Sequence, residues 1–378
     1  MLAALPDPRR PQGVRYPLAS VVVIGLMAMV CGCDDAEAME SWGEANEAWL
    51  GGFLELRHGA PTQDVYSSVF AALDPEAFSA VLRSWAELLS LRLAPGDRHI
   101  AVDGKTSRRS FDTARGRPAL HTVSAWLSEA GLVLGERRTA DKSNEITAIP
   151  ELLRVFDLRG ATVTIDAMGC QTEIAATIVA GGGESLLSAK ENQPTLHQDI
   201  AMTFSEAGDE RRRSRDELAR PHVEVFEESD KGHGRVEKRT VSLCRDLSWL
   251  TTAPRWPGLS FVVQVERERT TLATGKTSLE KATFIGSGVT VTAAAAARLL
   301  RGHWGIESQL HWVLDVAFRE DEARHRAQNT AQNLTTLRHF ALNVIKRDGS
   351  RKLGVANTRK RAGWDRPYLI ELLTAAGA

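Results

Sequence analysis

Apolar side chains recur every three or four positions through most of residues 18–90, and that period predicts a succession of helices. An apolar helix begins at Leu18, and an amphipathic one carries Trp42, Ala48, Trp49 and Leu50. After a turn at Gly59, Ala60 and Pro61, a helix capped from Thr62 to Asp64 carries Val65, Val69 and Phe70. Asp74 and Pro75 open the next, through Phe78, Val81, Leu82 and Trp85. Near residue 93 the texture changes to short apolar runs bounded by glycine and polar residues. Runs at 99–103, 120–126, 131–137, 161–166 and 185–189 read as strands, with helices at Ile149 to Val155 and Ile174 to Val179 between the later ones. That order predicts an α/β protein with a mixed sheet flanked by helices.

From about residue 195 the pattern loosens into a charge-rich stretch that includes Arg211, Arg212 and Arg213. Strands alternate again at 222–226, 236–243, 260–265 and 281–285. Helices return at the alanine run after Thr292, and one carrying Leu334, Leu337, Phe340, Ala341 and Val344 leads into a basic tail. Four segments result: an N-terminal helical domain over 1–92, a first part of the α/β core over 93–194, a β-rich insertion over 195–290, and completion of the core over 291–378. Asp103-Gly104-Lys105 reads as a strand end and the start of a basic loop.

Residues 300–321 hold two adjacent apolar stripes. Leu300, Trp304, Leu314 and Phe318 form one, and Ile306, Leu310, Val313 and Ala317 lie beside it, so the stretch reads as a mostly buried helix. Glu307 and His311 fall on the first stripe. A carboxylate there needs a partner cation or a wet cleft, unless Gly302 and Gly305 break the helix and release it to solvent. On the same stretch Trp304 and Trp312 read as core.

Composition narrows little. With 43% hydrophobic and 25% charged residues and a formal net charge of -1, the chain has no overall electrostatic bias toward nucleic acid, and any such site must come from local clustering of Lys and Arg. Cys31, Cys33, Cys170 and Cys244 fit neither a zinc site nor a disulfide framework and suggest a reduced, cytoplasmic setting. Arg9, Arg10 and Arg15 before the apolar run at 18–31 imitate a secretory signal. The run is short for a membrane span and continues with helical period into Asp34 and Asp35, which predicts a buried helix and no membrane partner.

Three carboxylates carry the candidate chemistry. Asp103 and Asp166 each end a buried strand, the edge at which an open sheet presents ligands, and Glu307 lies on the helix described above. One strand-end aspartate commonly caps a turn. The set of three could hold Mg²⁺ or Mn²⁺, as a pair of ions serving phosphoryl transfer, because hard oxygen ligands suit these cations.

Asp103-Gly104-Lys105, the run 141–150 (DKSNEITAIP), 164–171 (TIDAMGCQ) and 303–315 (HWGIESQLHWVLD) closely resemble the DDE transposases of bacterial insertion sequences, in their H-repeat-associated (ISAs-type) branch. Asp7-Pro8-Arg9, Tyr16-Pro17-Leu18, His233-Gly234-Arg235 and 360–364 (KRAGW) extend the likeness over nearly the whole chain. The resemblance implies an RNase H-like core with Asp103, Asp166 and Glu307 as catalytic and metal-binding residues, and a β-rich insertion before the glutamate. It further implies double-stranded DNA, as terminal inverted repeats and target, for a partner, and a homodimer in a synaptic complex. In the wider family the catalytic helix bears a Tyr, Arg, Glu, Lys signature; here Leu300, His303 and Leu314 stand at the Tyr, Arg and Lys positions. Glu191 stands after Lys190 where this branch usually has glycine.

Lys105, Arg109, Lys142, Lys190 and Arg319 are the candidate phosphate contacts, although each could equally be an ordinary surface cation. His303, His311 and His325 could orient water or DNA, but a histidine on an apolar face is more often a satisfied core residue. Asp315, Glu320 and Asp321 read as supporting acids or helix-surface charge. The activity implied is transposition: metal-dependent cleavage of DNA ends and strand transfer. An RNase H-like nuclease without joining, and a degenerate DNA-binding remnant, remain alternatives.

Overall fold

The computed structural model describes residues 1–90, 98–111, 116, 118–139, 144–204, 223–232, 234–348 and 353–377. The predicted mixed α/β architecture is found: nine strands in the order β3-β2-β1-β4-β5-β9-β8-β7-β6, with flanking helices. The strands are β1 (Arg98–Ser107), β2 (Leu120–Leu127), β3 (Leu132–Thr139), β4 (Ala161–Ile165), β5 (Glu184–Ala189), β6 (Val223–Gly232), β7 (Arg235–Cys244), β8 (Leu259–Thr271) and β9 (Thr277–Ser287). The chain divides into two compact units.

The first unit comprises Met1–Ala94, Gly104–Asn144 and Ile306–Ala378. It holds α1 (Leu18–Val30), α2 (Ala36–Ala45), α3 (Glu47–Leu50), α4 (Gln63–Ala72) and α5 (Pro75–Ser90). Almost every side chain of α1 is buried, as the apolar run predicts, and no described helix is long and apolar enough to cross a membrane. Asp74 starts α5 as expected, its Oδ1 accepting the N–H groups of Glu76 and Ala77. Hairpin β2–β3 pairs antiparallel, and its register shifts between Ala125 and Trp126.

The second unit comprises Pro95–Asp103 and Glu145–Gly305. Here α6 (Glu145–Leu153), α7 (Thr172–Ala180) and α8 (Pro194–Thr203) alternate with strands, and α9 (Ala293–Ile306) comes after the last of them. β1, β4 and β5 run parallel, which requires the helical crossovers seen between them. The predicted β-rich stretch is present as β6 to β9, and β9 pairs with β5 antiparallel. Leu186, Val241, Leu243, Phe261, Val263 and Val265 from these strands pack with Ala293, Ala296 and Ala297 of α9. Small alanines let the helix lie close on the sheet.

Three local expectations need correction. β1 runs on to Ser107, so Lys105 is a strand residue and not part of a basic loop. The stretch 300–321 is not one buried helix: α9 passes into a π-helical turn, Glu307–His311, then α10 (Trp312–Ala317) and a 3₁₀ turn, Glu320–Glu322. The extra residue in the π turn rotates the helix beyond it, and Ile306, Leu310, Val313 and Leu314 are the buried positions. Trp304 and Trp312 are 53% and 60% exposed, and Glu307 is exposed with them. The expected stretch at 206–221 and the arginines within it lie outside the described residues.

The remaining helices are α11 (Thr330–Lys346), α12 (Val355–Trp364) and α13 (Arg366–Ala375). α11 is buried on nearly all sides, polar residues included, so each polar group on it needs a partner. Asn343 meets this by mimicking a strand: Nδ2 donates to the Val133 carbonyl at 2.9 Å and Oδ1 accepts the Val133 N–H at 2.8 Å. Replacing Asn343 by Leu leaves both backbone groups buried and unpaired, and urea denaturation is expected to show a loss of about 2 kcal/mol or more.

Candidate active site

The parallel register of β1 on β4 ends at Val102 opposite Ile165, so Asp103 and Asp166 are the next residues on neighbouring strands. Both are half-buried. Asp166 is fixed by the turn it begins, its Oδ1 accepting N–H groups from Met168 at 3.1 Å and Gly169 at 3.3 Å. Gly169 has no room for a side chain, since a Cβ would stand 2.2 Å from Cγ2 of Ile165. The turn is held from its other side by the segment after β5: Asn192 donates to the Ala167 carbonyl, and Gln193 Nε2 to the Cys170 carbonyl at 3.0 Å. Sequence reasoning singled out Lys190 in that segment and missed Asn192 and Gln193. Their signal was slight, two amides just past a strand end.

Beneath Asp166, Thr164 links three elements. Its Oγ1 lies 2.7 Å from Nε2 of His99 on β1 and 2.9 Å from Nδ1 of His303 on α9. Burial pushes the His99 imidazole down to about 3, with His303 adding to the effect. Burial also lowers His303, against an opposing pull from the charge on Asp166. Both rings are therefore neutral near pH 7, and the hydroxyl lies within hydrogen-bond distance of both. Where the wider family has a permanently charged arginine, this chain has a neutral imidazole.

Glu307 belongs to the first unit, one helical turn after His303 in sequence and on the exposed side of the π turn. In that unit Lys105 is held inside. Its side chain is 11% exposed, and Nζ lies 2.7 Å from Asp315, 2.9 Å from Glu320 and 3.5 Å from Asp321. A lysine committed to three carboxylates is not presented to DNA phosphate. Glu320 is only 2% exposed and also receives Arg338 at 3.6 Å and the Thr335 hydroxyl at 2.9 Å. Burial alone would raise its pKa, but the charges of Lys105 and Arg338 outweigh that and bring it to about 2. Asp315 moves the other way: burial raises it, and Lys105 offsets this only in part. One ammonium cannot fully serve three acids, and the most buried takes the larger share.

Among the other candidates, Arg109 and Lys190 are exposed, and Arg319 is exposed and paired with Glu322. Lys142 lies outside the described residues. All four cysteines are free thiols. Among the described residues no group of three His, Cys, Asp or Glu side chains converges as a metal site. Asp103 and Asp166, the residues that follow Val102 and Ile165 in the parallel register, carry carboxylates, the hard oxygen donors that suit Mg²⁺ or Mn²⁺.

A family model described as the transposase DDE domain matches residues 94–344, and one described as DDE_Tnp_1-associated matches residues 1–86. The chain belongs to the DDE transposases. Two Escherichia coli K12 proteins, the H repeat-associated putative transposase YhhI and the putative protein YbfL, are each 32% identical over 100% of this chain and 97% of their own length. An uncharacterized Xanthobacter autotrophicus protein, from the dhlA 3′ region, is 40% identical over 75% of this chain and 92% of its own. The expected H-repeat-associated branch is thus the right one, and this DDE transposase has the mixed sheet of an RNase H-like fold.

The geometry sets two expected outcomes. Gly169→Ala forces the transposase to shift Ile165 or open the Asp166 turn, and thermal or urea unfolding should register a loss of roughly 1–3 kcal/mol. Glu320 has a folded pKa below its ordinary value of 4.5, so its stabilisation is present above about 4.5 and is lost as the pH falls toward 2. Unfolding free energy measured across that window should fall less steeply in Glu320→Gln than in the parent.

Proposed function

We propose that this DDE transposase binds the terminal repeats of its insertion element as duplex DNA, cleaves at the element ends, and joins the freed 3′ hydroxyl to target DNA. The observation that supports the reading is the position of Asp103 and Asp166 just past the paired part of two parallel strands, within a family whose catalytic domain spans them. Asp103, Asp166 and Glu307 are the catalytic carboxylates in this proposal, and together they hold the divalent ions. Bound Mg²⁺ or Mn²⁺ supplies Lewis-acid polarisation of the phosphoryl oxygens and lowers the pKa of an attacking water.

In cleavage a water oxygen bonds to phosphorus, the P–O3′ bond breaks, and the leaving 3′ oxygen takes a proton. In joining, that 3′ hydroxyl gives up its proton, attacks a target phosphorus, and displaces the target's own 3′ oxygen. The chain's part is to hold the carboxylates before substrate arrives. The N–H groups of Met168 and Gly169 fix one oxygen of Asp166, and Asn192 and Gln193 brace the loop that carries them. Lys190, Arg109 and Arg319, all exposed, are the cations available to backbone phosphates. The working form in this reading is a cytoplasmic homodimer that pairs two ends.

A labelled duplex bearing the element's end, incubated with Mg²⁺ or EDTA, tests the proposal. Nicking at the end should need the metal and fall by more than about 100-fold in Asp166→Asn and Glu307→Gln, beyond the loss typical of residues one shell further out. Cleavage that survives either substitution would refute the assignment. Nicks without joined products would indicate a nuclease, and binding without nicking in the parent a DNA-binding remnant.

A further inference from the structure

At the N-terminal end of α11 the first unit has a cleft of about 490 Å³, within the size range of small-molecule sites. Arg138, His325, Arg326, Gln328, Asn329 and Gln332 supply most of its polar lining, and among the described residues no Asp or Glu lines it. Two guanidinium groups thus share a cleft with no carboxylate among its described lining residues. Among the described residues Arg138 has no ion-pair partner, and Arg326 only lies over the Phe111 ring, 5.5 Å from its centroid. His325 adds no charge, because burial and the nearby Arg338 bring its imidazole down to about 4.

The helix adds a second attraction. α11 is 17 residues long, and Asn329, Ala331 and Gln332 at its positive dipole end line this cleft, while the Thr330 N–H is taken by the Ala327 carbonyl at 2.8 Å. Two buried polar residues at the helix start make no side-chain hydrogen bond within the described residues. Gln332, 7% exposed and in the cleft wall, makes no side-chain hydrogen bond within the described residues, and Oγ1 of Thr330 at the start of the helix is buried and unpaired. Native interiors seldom leave such groups unsatisfied. An amide donor and two arginines around a helix N-terminus are complementary to a tetrahedral oxyanion.

We propose that this cleft binds a phosphate group, and that the phosphate is one of the backbone of bound DNA. Naming DNA as its source rests on the transposase reading above; the phosphate chemistry does not. None of the lining residues belongs to the unit that holds Asp103 and Asp166, and neither arginine was a candidate from the sequence.

The test uses the full chain, the exposed double variant Arg138→Gln/Arg326→Gln, and Gln332→Leu. In the first arm inorganic phosphate replaces chloride at constant ionic strength, and the melting temperature is tracked. The parent should rise with phosphate, and both variants should lose that rise; a rise that persists in the variants is a general salt effect and overturns the site. In the second arm duplex affinity is measured against salt. The slope of log K against log salt should fall by about one for each arginine removed. An unchanged slope beside a lost phosphate response overturns DNA as the source and leaves a small phosphorylated ligand. Asp166→Asn should keep the phosphate response, so a failure of the catalytic assignment would not disturb this result.

Discussion

Glu320 is a carboxylate almost without contact with water, and much of the first unit is arranged so that it can remain ionised. Lys105 reaches it from β1, Arg338 and Thr335 from α11, and the same lysine ties in Asp315 and Asp321 from the segment just past the π turn. Removing one partner would leave a charge in a medium that cannot solvate it, which makes such a cluster intolerant of change. Its consequence is geometric. The chain just after the π turn is fixed to a strand and a helix that are themselves buried.

The second unit treats its polar interior in the opposite way. Between His99, Thr164 and His303 no charge is kept: burial holds both rings neutral, and one hydroxyl joins three elements by hydrogen bonds alone. The charged groups stand one step further along, where the pairing of β1 with β4 stops. The neutral His303 ring leaves the negative field of Asp166 in place, and in the proposed function that field helps to attract a divalent cation. An arginine at position 303 would compete with such a cation. The histidine found there does not.

The H-repeat-associated family and its mixed α/β core were legible because they rest on local patterns. Period-two and period-3.6 runs set β1 to β9 and the helices between them, and motif residues carry the family in short contiguous stretches. The neighbouring positions of Asp103 and Asp166 follow from the parallel register of β1 on β4, two strands buried almost continuously where they pair, and so came from the fold and not from a sequence pattern. What failed was any inference that depended on which of two apolar stripes faces inward. Two stripes on residues 300–318 differ by one helical position: Trp304, Glu307 and Trp312 are exposed, Ile306 and Leu310 are buried, and the π turn shifts the phase of the positions after it.

The sequence by itself determined the family and most of the elements, since each depends on residues close together along the chain. Only the tertiary structure decided what the cations do. Lys105 is inside and Arg138 outside, Arg359 is buried against the Met29 carbonyl and Asp34 while Lys190 is open to solvent, and nothing in their local sequence separates them. A charged side chain is surface or core according to the partners brought to it from distant parts of the chain, and that information is carried by packing alone.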